Sequence, residues 1–375
     1  MKKLIILIVL SIIIIAGTPP SVNADHHLSV SGRTAVLLEQ DSGRVLFGKE
    51  EHEPRKIASI TKIMTAILAV ESRQFEETVK VSSNAAGVEG SSLYLKPGEN
   101  ITLKDLTYGL MMRSGNDAAV AIAEHVGGSV DGFVYLMNEK AEQIGMENTQ
   151  FTNPHGLDDG DSHYSTAYDM ALLMQYAMKN EQFQEISQTK KYRAPQEGER
   201  WDRIWTNKNK LLTSMYKHCT GGKTGYTKAA GRTLVTTAEK DGMSLVAVTL
   251  DAPSDWNDHI TMYEWGFSSF HQEQLADKRE EVTVESVEDG TFYLPYTLYY
   301  PLQEEEKQQI RKKVILNDRF FHGTANVTAA GKIEWYIGDE HIYSMPLMYE
   351  REQAAKEGFF HKMGEFIRTL TGGSV

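Results

Sequence analysis

The chain has 375 residues, and its 51 aspartates and glutamates outnumber 39 lysines and arginines, for a formal net charge of −12. An acidic chain without a basic block is unsuited to binding nucleic acid, and a single cysteine, Cys219, excludes an internal disulfide framework. The length exceeds one typical domain and predicts two.

The first residues read as a secretory leader. Lys2 and Lys3 precede an apolar run from Leu4 to Ile15, broken only by Ser11, and Val22-Asn23-Ala24 is a small-x-small cleavage site. The run is short for a bilayer span of about 20 residues. The expectation is cleavage after Ala24, with the mature chain acting outside the cytoplasmic membrane. Losing two lysines moves the charge from −12 to −14.

Thr34 to Leu38 and Arg44 to Phe47 flank Asp41-Ser42-Gly43 and predict a β-hairpin. Helices follow over Ile60 to Val70, with Ser59 at its head, over Ala118 to His125, closed by Gly127-Gly128, over Val130 to Ile144, and over Tyr168 to Met178. Strands return at Arg232 to Thr237 and Met243 to Leu250 around Lys240-Asp241-Gly242, and His259 to Phe267 reads as a closing helix. Strands at both ends with helices between predict an α/β unit. Its antiparallel sheet pairs strands from opposite ends of the segment 25–271. From 272 to 355 short apolar segments alternate with turns: Val282 to Val287, Thr291 to Leu298, Lys313 to Leu316, Lys332 to Ile337 and His341 to Pro346. This predicts a small all-β domain. In 356–375, Phe359, Phe360, Met363, Phe366, Ile367 and Leu370 form an apolar stripe at helical spacing, which predicts an amphipathic helix lying on a membrane surface.

Three motifs carry chemistry. Ser59-Ile60-Thr61-Lys62 places a hydroxyl and an amine on one helical face. A serine needs a base to act as a nucleophile. Lys62 serves if its charge is disfavoured by burial, by the positive end of the helix and by a second cation, Lys223. Ser114-Gly115-Asn116 lies between two apolar segments. It offers a hydroxyl that relays a proton and an amide that holds both the lysine and a substrate carbonyl. Lys223-Thr224-Gly225 follows two glycines and reads as a strand that pairs with an extended peptide. In that strand Lys223 and Thr224 face a terminal carboxylate. The backbone N–H groups of Ser59 and Tyr226 form the expected oxyanion hole. Each motif alone is commonplace. In this order and with wide gaps they describe one acyl-transfer site.

With these motifs the sequence resembles the serine D-alanyl-D-alanine carboxypeptidases, the low-molecular-mass penicillin-binding proteins. Leu110 to Ala119, Phe151-Thr152-Asn153-Pro154-His155-Gly156-Leu157 and Trp265-Gly266-Phe267 extend the likeness, which spans essentially the whole chain. It looks closest to the sporulation-type enzymes of bacilli that trim spore-cortex peptidoglycan. The resemblance implies a penicillin-recognising fold and attack by Ser59 on the bond between two D-alanines of a peptidoglycan stem pentapeptide. It also implies an acyl-enzyme released by water, covalent inhibition by β-lactams, and no need of a cofactor or metal. For the sporulation-type enzymes it implies the forespore's outer membrane face.

One departure stands out. Many relatives carry an arginine for the terminal carboxylate just before the closing helix, where this chain reads Asp251 to His259 without one. Arg232 and His259 are the candidate replacements. Cleavage of peptidoglycan cross-links shares the same chemistry and differs only in the leaving group. A class A β-lactamase would need a glutamate near Asn153 to Asp159, and none is present. A noncatalytic wall-binding module would not require Lys62, Asn116 and Lys223 together. Asp158, Asp159, Asp161 and His163 cluster around Gly160, but their spacing fits no calcium or zinc motif and reads as a solvated loop.

Overall fold

A computed structural model describes residues 28–196, 198–284, 290–317 and 327–350. The expected leader and amphipathic tail lie outside the described residues. Among the described residues no helix is long and apolar enough to cross a membrane.

The predicted hairpin forms from β1 (Thr34–Glu39) and β2 (Val45–Lys49). A 3-10 turn, Ala58–Thr61, runs into α1 (Lys62–Glu71). The small ribbon of β3 (Thr78–Lys80) and β4 (Asn100–Thr102) encloses the short α2 (Ser83–Ala86). Four helices follow: α3 (Leu103–Arg113), α4 (Asn116–Gly127), α5 (Val130–Ile144) and α6 (Ala167–Ala177). Thr102, Ser129 and Thr166 cap α3, α5 and α6, each accepting a backbone N–H on its hydroxyl. Next come α7 (Glu181–Gln188) and a second ribbon, β5 (Lys191–Ala194) with β6 (Arg203–Thr206). Three long strands, β7 (Cys219–Thr227), β8 (Gly231–Lys240) and β9 (Met243–Leu250), and then α8 (Asp255–Ser269) complete this part.

The main sheet has the antiparallel order β2-β1-β9-β8-β7, so the first strand pairs with one contributed more than 200 residues later, as Leu37 faces Ala247. All six residues of β1 are buried because both faces are covered. Val36 and Leu38 join a core with α1, α3, α4 and α6, while Ala35 and Leu37 pack with Met262, Tyr263 and Phe267 of α8. The strand that carries Lys223-Thr224-Gly225 is left at the sheet edge, against the 3-10 turn.

The C-terminal region is β-rich, as expected, but it is divided differently. Thr291 to Leu298 is not one strand. β11 (Thr291–Tyr293) joins a four-stranded sheet in the order β11-β15-β14-β13 with β13 (Ile310–Leu316), β14 (Val327–Ile337) and β15 (Glu340–Glu350). Past Pro295, which has no N–H to give a ladder, β12 (Leu298–Leu302) pairs instead with β10 (His271–Ala276). β10 escaped the sequence reading because His271-Gln272-Glu273-Gln274 is polar. The segment Val282 to Val287 is described only to Val284, and Val282 and Val284 pack on the C-terminal core around Trp335. Arg44 ties the two parts together. It donates to the Pro301 carbonyl and to Glu306, and its guanidinium lies 5.2 Å and 5.4 Å from the Phe270 and Tyr300 ring centres.

Candidate active site

The site forms where α1, the α3–α4 turn and the edge strand β7 meet. Ser59 lies in the 3-10 turn and Lys62 opens α1, so three residues of spacing bring Lys62 Nζ to 3.0 Å from Ser59 Oγ. Ser114 ends α3 in the left-handed region, φ 66°, and only Gly115 separates it from Asn116, the first residue of α4. A left-handed residue commonly closes a helix in this way, though it is usually a glycine.

Lys62 is fully buried and makes three polar contacts. Its Nζ lies 2.7 Å from Asn116 Oδ1, 2.5 Å from the His155 carbonyl oxygen, and 3.0 Å from Ser59. The Asn116 amide is oriented by Nδ2, which donates to the Glu89 carbonyl at 2.7 Å, so Oδ1 can only accept from the lysine. Two pure acceptors use two N–H bonds. A neutral amine has two N–H bonds and one lone pair, and the lone pair then faces the Ser59 hydroxyl. Burial pushes the Lys62 pKa well below the ordinary lysine value, and the nearby charges of Lys223 and Lys208 push the same way against Asp117.

Lys223, also buried, donates to Ser114 Oγ at 3.0 Å and to the Thr224 carbonyl at 2.6 Å. Burial, and then Lys208, lower its pKa to about 7. The structure therefore bonds Ser114 to Lys223 rather than to Lys62. Gly225 has no side chain because a Cβ there would stand 3.0 Å from the Ser59 nitrogen and 2.3 Å from Thr233 Oγ1. This close approach brings the edge strand to Ser59.

Ser59, Ser114, Thr224, Gly225 and Tyr226 line one cleft of about 300 Å³, together with Ser91, Lys208, Arg232, Asp255 and Trp256. Arg232 faces Tyr226 across the β7–β8 ladder. Its Nη2 donates to both oxygens of Asp255, at 2.6 and 2.9 Å, and its guanidinium lies 5.7 Å from the Trp256 ring centre.

His259 is not brought to the cleft. It is fully buried between β8, β9 and α8, with Nδ1 bonded to Thr236 Oγ1 and Nε2 to Thr249 Oγ1, and burial lowers its pKa to about 3. Both ring nitrogens are occupied, so it holds the helix to the sheet. His163 likewise departs from the solvated-loop expectation: it is buried, with Nε2 on Thr61 Oγ1 and Nδ1 accepting from Thr152 N–H. Asp159 and Asp161 are exposed, and among the described residues no three potential ligands gather into a metal site. Cys219 is buried beside Asn209, and burial raises its thiol to about 11.

Sequence reasoning missed Lys208 and Ser91, which belong to no motif, and the structural part of Asp117. That buried carboxylate accepts from the backbone N–H groups of Leu93 and Leu95 and from the Ser92 hydroxyl, fixing the segment that carries Ser91.

Residues 21–254 match the S11 family of peptidases, described as D-alanyl-D-alanine carboxypeptidase. The chain is 32% identical over 337 residues to the D-alanyl-D-alanine carboxypeptidase DacF of Bacillus subtilis, covering 85% of this chain and 86% of that one. It is 30% identical to DacC of Escherichia coli, over 90% and 88% of the two chains. The crystal structure of penicillin binding protein 5 from Haemophilus influenzae superposes with a TM-score of 0.73 at 25% identity, over 86% of this chain and 97% of that one.

The role of base expected for Lys62 requires a neutral amine, which gives a pH prediction. A lowered pKa makes Lys62 competent over a pH range where an ordinary lysine is protonated, so the rate of acylation by a penicillin should rise with pH, level off below 10.5, and fall about tenfold per unit on the acid side. Lys62→Arg, which cannot lose its proton, should slow acylation by roughly 10²–10⁴-fold. Stopped-flow acylation across pH checks both, and an arginine variant with wild-type rates would exclude Lys62 as the base.

Proposed function

The chain belongs to the D-alanyl-D-alanine carboxypeptidase family, as a serine-type enzyme, and we propose that Ser59 is its nucleophile, Lys62 its base and Ser114 its proton carrier. The observation that carries this reading is the triple contact of Lys62 Nζ, whose two acceptors leave its lone pair for Ser59. Ser59 Oγ bonds to the carbonyl carbon between the two D-alanines as Lys62 takes its proton. The Ser59 and Tyr226 N–H groups face the developing oxyanion. The C–N bond then breaks as the Ser114 hydroxyl, held by Lys223, gives its proton to the departing D-alanine nitrogen and takes up the one that Lys62 gained from Ser59, so that Lys62 is neutral again. Water next attacks the Ser59 ester and releases the shortened peptide. Asn116 and Thr224 bind the substrate backbone, which lies along the β7 edge as an added strand. A β-lactam follows the first step and remains on Ser59.

The terminal carboxylate is assigned to Arg232, with Lys223 and Thr224 beside it. Asp255 engages Nη2 alone, which leaves Nη1 for a ligand, and an arginine suits a carboxylate geometrically. The stem peptide of peptidoglycan is the proposed substrate and cell-wall or spore-cortex maturation the proposed setting. The leader pattern of Lys2, Lys3 and the Leu4 to Ile15 run supports action outside the cytoplasmic membrane, and the forespore's outer membrane face is proposed only from the resemblance to sporulation-type enzymes. The apolar stripe of Phe359 to Leu370 supports attachment to a membrane surface.

Ser59→Ala should abolish D-alanine release and penicillin labelling, and muropeptides from cells carrying it should retain pentapeptide stems. A labelled Ser59→Ala protein, or unchanged stems, would overturn the nucleophile or the setting respectively. Arg232→Ala should raise KM about tenfold or more for a free-carboxylate peptide, as loss of a charged hydrogen bond implies, and much less for its amide. Equal effects on both would remove Arg232 from carboxylate binding. Deleting residues 358–375 should release the enzyme from anionic vesicles in flotation with D-alanine release intact, and continued flotation would show that the tail is not the anchor.

A further inference from the structure

Two carbonyls precede the nucleophile, and each is held by a threonine from a different element. The Ile57 carbonyl accepts from Thr233 Oγ1 of β8 at 2.9 Å, and the Ala58 carbonyl accepts from Thr61 Oγ1 at 2.8 Å. Thr61 has one hydroxyl proton and spends it on Ala58. Its contact with His163 Nε2, at 2.8 Å, must then run from the imidazole to the hydroxyl. That requires the proton on Nε2 and a lone pair on Nδ1, and Nδ1 does accept, from the Thr152 N–H at 3.1 Å. The chain has one consistent polarity from Thr152 through His163 and Thr61 to Ala58. Burial lowers the His163 pKa to about 4, so the ring is neutral at neutral pH, as this pattern of bonds requires.

Ala58 needs such support. It is a buried non-glycine residue at φ 50°, a conformation that costs on the order of 1–3 kcal/mol and persists only where the surroundings impose it. The loop that carries His163 also presses on the same carbonyl: Gly156 sits at φ 82°, where a Cβ would come within 1.9 Å of the Ala58 oxygen. The Ala58 C=O and the Ser59 N–H belong to one planar trans peptide, so they point in opposite directions and turn together. Holding the carbonyl toward Thr61 therefore aims the N–H away from it, on the side where Gly225 closes on the Ser59 nitrogen.

We propose that His163 is a positioning residue for acyl transfer: acting through Thr61, it locks the Ala58–Ser59 peptide so that the Ser59 N–H is aimed at the developing oxyanion. The inference rests on Ser59 being the nucleophile. It gives the 152–163 loop two roles, since the His155 carbonyl from the same loop holds Lys62.

The test compares Thr61→Val, Thr61→Ser and His163→Phe in the full chain, each with its melting temperature. Removing an oxyanion donor costs roughly 10²–10³-fold, and misaiming one costs less. Thr61→Val and His163→Phe should lower kcat and the penicillin acylation rate by about 10–100-fold, with KM within about threefold. Thr61→Ser, which keeps the hydroxyl, should stay within about threefold of wild type, and the double variant Thr61→Val/His163→Phe should be no slower than the worse single, because the two act in one chain. Should His163→Phe fail to fold, the near-isosteric Thr61→Val decides alone. A folded Thr61→Val enzyme with wild-type kcat, or additive losses in the double variant, would overturn the proposal. Mass spectrometry separates the two levels: a slow adduct on the Ser59 peptide supports positioning, a wild-type rate there refutes it, and an adduct elsewhere refutes the nucleophile itself.

Discussion

The structure is organised around an amine kept out of water. Burying an ammonium costs several kcal/mol even after relaxation, and among the described residues Lys62 has no carboxylate within hydrogen-bond reach to offset it. What surrounds it instead is an amide oxygen, a backbone carbonyl and a serine hydroxyl. That set satisfies a neutral amine and directs its lone pair at Ser59. Three separate segments must arrive in place to supply it: the 3-10 turn with the head of α1, the first residue of α4, and the loop through His155.

The sheet supplies the other half. Because β7 is an edge strand, its free side can meet both the 3-10 turn and an extended ligand, while its paired side is locked to β8 from Cys219–Ala238 to Thr227–Gly231. Lys223 points inward from this strand and adds a second buried amine, whose charged form acts on Lys62. That charge depresses Lys62 further, and the amine holds the Ser114 hydroxyl. Lys208 and Arg232 sit toward the open cleft, where water moderates their charge. The gradient from buried neutral amine to half-exposed guanidinium matches a substrate that is neutral at its scissile bond and anionic at its end.

Much of this was legible in the sequence. The hairpin, α1, α4, α5, α6 and the β8–β9 pair follow from apolar periodicity and turn residues, and the triplet of motifs named Ser59, Lys62, Ser114, Asn116 and Lys223, which meet in space. The hidden parts have a common cause: they depend on partners distant in sequence. His163 looks like one polar residue in an acidic loop until Thr61 and Thr152 occupy its two nitrogens. His259 looks like a cleft residue until Thr236 and Thr249 close over it. The exchange of partner strands after Pro295 and the polar strand β10 escape a pattern reading because sheet membership is settled by pairing, not by alternation alone.

The neutrality of Lys62 is the claim on which the site depends, and NMR titration of lysine labelled at the ε-carbon observes it directly in the resting enzyme. The account predicts one resonance, missing in Lys62→Arg, that titrates far below the ordinary lysine range near 10.4. A Lys62 resonance that stays at the position of a charged amine up to pH 10 would contradict it.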